Sequence, residues 1–210
     1  YSVNMGDLEA TQEGINKSLS QEVIRLNNLG IKGRLEDISF ERVSEELARY
    51  GIFHLYGIGE PHLVVFVDDD IYSLDNTRML YEIGAAFNFK DSRLRRSKSS
   101  GGDEVVPFGC NVNLVQTTNP GEICIRTYER GVDNETLACG TGATACAAAA
   151  YLSQRVDCSH VKVNVKGDQT LIALTGKEEQ YQNCLTVELK RKENQGLSLR
   201  LTGPAETVAR

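Results

Sequence analysis

The run Gly140-Thr-Gly-Ala-Thr-Ala-Cys-Ala-Ala-Ala-Ala-Tyr-Leu limits the fold more than any other stretch of the chain. Alanine is the best helix former, so this run predicts a helix over roughly residues 140–154. Around it lie short apolar, β-branched segments that predict strands at 111–116, 122–129, 161–165, 170–175, 184–190 and 197–202. The helix falls between the second and third of these strands. That order gives an α+β fold in which one helix is embedded among several strands.

Upstream the pattern is mixed. Asn4-Met-Gly-Asp reads as a turn. Apolar residues at 19, 23, 26 and 29 form a helical stripe that stops at Gly30. A second amphipathic helix is predicted from Ser39 to Tyr50, carrying Phe40, Val43 and Leu47 and stopped by Gly51. Leu63-Val-Val-Phe-Val reads as a buried strand, Asp68-Asp-Asp as a turn, and Asn76 to Phe87 as a third helix. Residues 91–104 are a polar loop whose basic side chains lack interleaved aromatics, which favours a solvated insertion over a phosphate-binding patch. No period of 20–50 residues repeats.

The net charge of −6 and pI near 5.2 argue against a nucleic-acid or anionic-membrane partner. No apolar run approaches the roughly 18 residues of a membrane span, and no signal-peptide pattern opens the chain, so a cytoplasmic location with reduced thiols is expected. The chain starts at Tyr1 without a methionine, which leaves room for residues upstream. Cysteines at 110, 124, 139, 146, 158 and 184 form no CxxC pair and no Cys/His cluster, so no metal site is expected and most should be small buried hydrophobes.

Cys139 stands apart because it sits where Tyr128-Glu-Arg-Gly-Val-Asp-Asn-Glu-Thr-Leu-Ala ends and the Ala-rich helix begins. The first turn of a helix carries free N–H groups and partial positive charge, which would stabilise a thiolate there. Gly140, Thr141 and Gly142 let a carboxylate approach bare backbone donors. A thiol beside such a cradle suits proton transfer at the carbon next to the carboxylate, and it equally suits nucleophilic attack. The simpler alternative is a small residue placed for tight helix packing. A dinucleotide site is excluded, although Gly140-Thr-Gly-Ala-Thr-Ala fits its glycine pattern. No strand runs straight into the first glycine, and the next strand ends in Val-Lys-Gly without the acidic residue. A phosphate loop fails for want of Gly-Lys-Ser/Thr.

Residues 128–145, together with Gly59-Glu-Pro-His-Leu-Val-Val-Phe-Val-Asp-Asp, Gly109-Cys-Asn-Val-Asn-Leu-Val-Gln and Leu201-Thr-Gly-Pro-Ala-Glu, resemble the diaminopimelate epimerase family of cofactor-independent amino-acid racemases. The blocks keep that family's order over residues 59–206, and Asn4-Met-Gly resembles an earlier block. The resemblance implies two similar lobes, each a helix surrounded by strands, with an amino-acid substrate in the cleft between them. Each lobe supplies one thiol, and neither metal nor pyridoxal phosphate takes part. Carried over by motif, Cys139 is the acid/base thiol of the second lobe, and Gly140 and Thr141 bind the reacting carboxylate. Glu129 tunes Cys139, Arg130 and Asn111 hold the substrate's distal end, and His62 tunes the other lobe's thiol. For these residues the plainer alternatives are a surface ion pair at Glu129–Arg130, a structural histidine, and a turn or bulge at Asn111. The resemblance divides the chain into a remainder of the first lobe with an insertion (1–58), the C-terminal catalytic lobe (59–203), and a segment returning towards the first lobe (204–210). A homodimer is the assembly it allows for.

Two departures matter. The family's Cys-Gly-Asn-Gly block is absent, so the first lobe is expected to be incomplete here and the fragment alone inactive. Glu60 stands where diaminopimelate enzymes usually carry Asn; a carboxylate there would repel a distal carboxylate and attract a distal amine or imidazolium. This keeps open a racemase of another basic amino acid such as histidine. A thiol-nucleophile enzyme and a non-catalytic anion-binding lobe are the readings from other classes; for the first, no histidine adjoins Cys139 in sequence.

Overall fold

The computed structural model describes residues 1–8, 34–35, 38–39, 51–55, 60–67, 74, 77–88, 108–166, 184–193 and 196–204. The elements run β1 (Ser2–Leu8), β2 (Arg34–Leu35), β3 (Ile38–Ser39), β4 (Gly51–Leu55), β5 (His62–Phe66) and α1 (Thr77–Asn88). They continue with β6 (Asn111–Asn119), β7 (Glu122–Glu129), β8 (Asn134–Glu135), α2 (Gly140–Leu152), β9 (His160–Val165), β10 (Cys184–Arg191) and β11 (Leu197–Thr202). Apart from the β2–β3 pair, the strands form one sheet in the order β1-β11-β10-β9-β7-β6-β5-β4, with β8 added beside β7. The β5–β6 and β7–β9 pairs are parallel and the other pairs antiparallel.

Alternation along the strands makes two cores, one on each face. Val64, Phe66, Val115, Ile123, Ile125, Val163 and Leu199 face α2. Leu63, Val65, Val112, Leu114 and Cys124 face α1. Helix α2 is buried continuously from Gly142 to Ala150 and touches strands β4, β5, β6, β7, β9, β10 and β11, so the sheet wraps around it. A helix that is apolar on every side can be satisfied only by such enclosure. The embedded helix read from the alanine run is therefore the organising element of an α+β fold. Helix α1 is amphipathic and packs Met79, Leu80, Ile83 and Phe87 on the opposite face. No helix among the described residues is long and apolar enough to cross a membrane.

The predicted helix at 76–87, the buried strand at 63–67 and five of the six later strands match observed elements to within a few residues. The turn read at Asn4-Met-Gly-Asp is instead the middle of β1. Its turn chemistry survives as a bulge: the register with β11 shifts between Asn4 and Gly6, Gly6 has φ +91°, and its N–H donates to Asn4 Oδ1 at 3.0 Å. Both β1 and β4, which precede residue 59, are hydrogen-bonded to β11 and β5 in the same sheet as the rest. The helices read at 19–29 and 39–50, the loop at 91–104 and the strand at 170–175 lie wholly or almost wholly outside the described residues, as does 205–210.

Candidate active site

The α2 face of the sheet changes character towards one end. On β5 the row runs Phe66, Val64, His62; on β6, Val115, Asn113, Asn111; on β7, Ile125, Thr127, Glu129. The register sets Val64 beside Asn113, Asn113 beside Thr127, and His62 beside Asn111. Apolar side chains deep under α2 thus give way together to polar ones beneath its N-terminus. His62, Asn111, Asn113 and Thr127 are all buried.

Cys139 caps the helix above this patch. Its backbone is extended, with φ −124° and ψ 110°, while its carbonyl already accepts from Ala143 N–H at 2.8 Å. The sulfur accepts from Gly142 N–H at 3.3 Å and lies 3.3 Å from Thr141 Oγ1. Gly142 has to be glycine for this arrangement: a Cβ there would lie 2.7 Å from Asn113 Oδ1 and 3.2 Å from the Cys139 sulfur. The N–H groups of Gly140 and Thr141, in the first turn, have no acceptor within the helix.

The helix mouth does not lower the thiol's pKa as the sequence suggested. Burial pushes Cys139 above the ordinary thiol value; the Thr141 hydroxyl and the Gly142 N–H pull it back in part, and the charges of Glu129 and Glu60 push it up again. Only 5% of the residue is exposed, and loss of solvent outweighs one N–H group. The resting group is a thiol, a proton donor.

At the rim, Asn111 links three residues. Its Oδ1 accepts from Arg130 N–H at 2.8 Å, its backbone N–H donates to Pro61 O, just before β5, at 3.0 Å, and its Nδ2 donates to Glu60 Oε2 at 3.3 Å. The same Glu60 oxygen lies 3.5 Å from an Arg130 guanidinium nitrogen, and Arg130 also donates to Phe108 O. Glu60 and Arg130 are partly exposed, so this carboxylate–guanidinium pair is open to a ligand.

Support comes from the other face. Arg126 donates to Glu135 through Nε at 2.7 Å and through a terminal nitrogen at 2.6 Å, and it reaches Leu74 O and Thr77 Oγ1 at 3.0 Å each. This buried pair ties the turn between Glu129 and Cys139 to the start of α1. Tyr128 lies against Gly84 of α1, where a Cβ would come within 2.3 Å of its ring, and meets Tyr81 edge-on. Asn88 at the end of α1 accepts from Cys110 N–H at 3.1 Å and donates to Cys110 O at 2.9 Å, holding Asn111 from below.

The family model described as diaminopimelate epimerase matches residues 55–189. The chain belongs to the diaminopimelate epimerase family. Among curated relatives named diaminopimelate epimerase, that of Hydrogenobaculum sp. strain Y04AAS1 is 41% identical over 116 residues, covering 54% of this chain and 36% of its own. The Chlorobaculum tepidum relative is 38% identical, covering 57% of this chain and 40% of its own. The Flavobacterium psychrophilum relative is 32% identical, covering 78% and 52%. The chain thus spans about a third to a half of the relatives it matches. A solved PhzF-family phenazine biosynthesis protein from Enterococcus faecalis aligns with a TM-score of 0.39 at 11% identity, covering 63% of this chain and 35% of that one.

Of the residues that diaminopimelate epimerase motifs single out, the structure brings Cys139, Gly140 and Thr141 together at the helix mouth. It joins Glu60, Asn111 and Arg130 at the rim, and places Glu129 between the two groups on β7. His62 lies under the mouth and is reached through Asn113. Asn113, Thr127, Asn88 and the Arg126–Glu135 pair were missed by the sequence reading, and Gly142, read there as part of the carboxylate cradle, also holds the Cys139 sulfur. Asn113 did leave a trace, as a polar residue flanked by Val112 and Leu114 and two positions from Asn111 on the same face.

Proposed function

We propose that this chain is one lobe of a diaminopimelate epimerase, interconverting the LL and meso forms by α-proton transfer between two thiols without a cofactor, in the supply of lysine and peptidoglycan precursors. The observation that carries the reading is Cys139, a thiol on the mouth of a buried helix with the N–H groups of Gly140 and Thr141 beside it. Those donors would hold the α-carboxylate and stabilise charge developing next to it. A thiolate on one face takes the α-proton, leaving a planar carbanion. The Cys139 thiol gives its proton to the opposite face; one C–H bond breaks, one forms, and thiol and thiolate exchange places. In the reverse direction Cys139 must start as thiolate. The substrate's ammonium groups, set near Glu129 and Glu60, would cancel the carboxylate charges that raise it.

The opposite thiol has no candidate among the other cysteines. Cys110, Cys124 and Cys146 are buried in the cores, while Cys158 and Cys184 lie at the starts of β9 and β10. A companion lobe of the same enzyme would supply it. The Glu60–Arg130 pair supports diaminopimelate as substrate, because a carboxylate and a guanidinium side by side match a distal ammonium and carboxylate together. Glu60 alone favours a second reading, a racemase of a basic amino acid such as histidine. That ligand would leave Arg130 with Glu60 as its counter-ion.

The test is isomerisation of LL-diaminopimelate, histidine and lysine in deuterated water by the protein together with its companion lobe. Formation of meso-diaminopimelate with one α-deuterium, and slow or no exchange on histidine and lysine, is expected. Faster racemisation of histidine or lysine favours the second reading, and no exchange with any of them overturns both.

A further inference from the structure

The contacts of Asn113 set the orientation of its amide beneath the helix mouth. Asn113 is fully buried, and its side-chain amide has three polar neighbours: Leu63 O at 3.0 Å from Nδ2, Thr127 Oγ1 at 2.9 Å from Oδ1, and His62 Nδ1 at 3.3 Å from Nδ2. The carbonyl of Leu63 can only accept, so it decides which end of the amide faces it. The opposite orientation would set two oxygens 3.0 Å apart in a buried site. With Nδ2 so placed, Thr127 must donate to Oδ1, and the second amide hydrogen points to His62 Nδ1. A ring nitrogen that receives this hydrogen bond carries no proton. In a neutral imidazole the proton is then on Nε2.

We propose that Asn113 is a positioning residue that holds His62 in the neutral Nε2–H tautomer while its Oδ1 face seats the N-terminus of α2. The two ends of this device are physically joined. The oxygen that takes the Thr127 proton is the one a Cβ at Gly142 would strike at 2.7 Å, and Gly142 supplies the N–H that holds the Cys139 sulfur. A side chain of another shape at 113 disturbs the imidazole and the thiol's seat together. The tautomer stands on these contacts alone. Its consequence for catalysis rests on the proposed function: His62 can present a hydrogen-bond donor through Nε2, and its Nδ1 is already engaged.

The imidazole ¹⁵N spectrum of the ligand-free 210-residue chain tests this, since three histidines give few signals and His54→Gln and His160→Gln variants assign the remaining one. The expected result is the coupling pattern of a ring protonated at Nε2 only. A ring protonated at Nδ1 in the native chain overturns the proposal without any variant at position 113. Asn113→Asp replaces the donor by an acceptor of nearly the same shape, and it is expected to place a proton on Nδ1. An unchanged His62 pattern in a folded Asn113→Asp chain also overturns it. These readings are taken without substrate, so failure here leaves the epimerase reading intact, and failure of exchange in deuterated water leaves the tautomer intact.

Discussion

The two faces of the sheet are built from different materials. Against α2 the helix contributes Ala143, Ala145, Ala147, Ala148, Ala149 and Ala150, none of them larger than a methyl side chain. Against α1 the helix contributes Met79, Leu80, Ile83 and Phe87. Small side chains let the α2 backbone approach the strands closely, which brings the helix mouth within reach of Asn113 and its buried neighbours. Large side chains on the other face bury more apolar area per helix residue. The α1 face also holds the turn that delivers Cys139, through Arg126–Glu135 and Tyr128. Chemistry and support are thus separated by the thickness of one sheet, and that separation can be broken from either side.

The largest effect should come from Cys139→Ser in the complete protein. Serine is a good N-cap, so the hydroxyl keeps the bond to Gly142 N–H while the transferable thiol proton is lost. Turnover is expected to fall on the order of a hundred- to ten-thousand-fold with little change in the unfolding midpoint. Retained turnover would remove the thiol from the reaction. Glu135→Gln is the matching change on the supporting face. It replaces the ionic partner of the buried Arg126 by a neutral amide while the bonds to Leu74 O and Thr77 Oγ1 remain, and removing the counter-charge of a buried pair in this way costs about 3–5 kcal/mol. Chemical denaturation should report that loss, and turnover should fall with it because the turn before Cys139 loosens. A variant as stable as the native chain would show that the turn is held by something else.

The sequence made the α2 face legible and left the supporting face obscure, for a physical reason. An alanine run and a glycine-flanked cysteine are local patterns, and their meaning does not depend on what pairs with what. Asn113, Thr127 and His62 are far apart in sequence and become one group only when β5, β6 and β7 align in register. Arg126 and Glu135 look like ordinary charged residues until β8 folds back on β7. The turn residues at Asn4-Met-Gly were read correctly as chemistry and wrongly as geometry, since an edge strand uses the same residues for a bulge. The helix mouth itself was read correctly, but its effect on Cys139 was not, because burial is a property of the assembled fold.

Burial also gives the two faces a shared response to alkali. On the α1 face, desolvation raises the Cys110 thiol from 9.0 to about 12, against a weaker opposing pull from Arg130. Cys139 and Cys146 are raised as well. A folded-state pKa above the unfolded one means that the unfolded chain ionises first. Stability should therefore hold below pH 9.0, and each such thiol should remove about 1.4 kcal/mol per pH unit as pH rises from there towards its folded pKa. Unfolding measured against pH should show this slope, and Cys110→Ala should make it shallower by one thiol's share. An identical slope in the variant would mean that Cys110 ionises as readily folded as unfolded.

The finest comparison lies within the helix mouth, between two glycines two residues apart. A methyl group at Gly142 would meet Asn113 Oδ1 at 2.7 Å and the Cys139 sulfur at 3.2 Å, and the first of these is held on three sides. A methyl at Gly140 would meet only Leu201 Cδ2 at 3.1 Å, the end of a flexible side chain on a half-buried strand residue. Gly142→Ala must therefore push apart the sheet and the thiol's seat, at about 1–3 kcal/mol. Gly140→Ala needs a small rotation of Leu201, and alanine's helix propensity returns part of the cost, leaving a net change within about 0.5 kcal/mol. Because the Gly140 N–H survives the change to alanine, carboxylate binding should also survive at that position. Comparing KM and kcat for the two variants reads the difference: Gly140→Ala should alter neither strongly, and Gly142→Ala should lower kcat. Equal loss in both would mean that the mouth is closed to any added methyl, and that backbone exposure, more than the seating of the sulfur, is what the glycines provide.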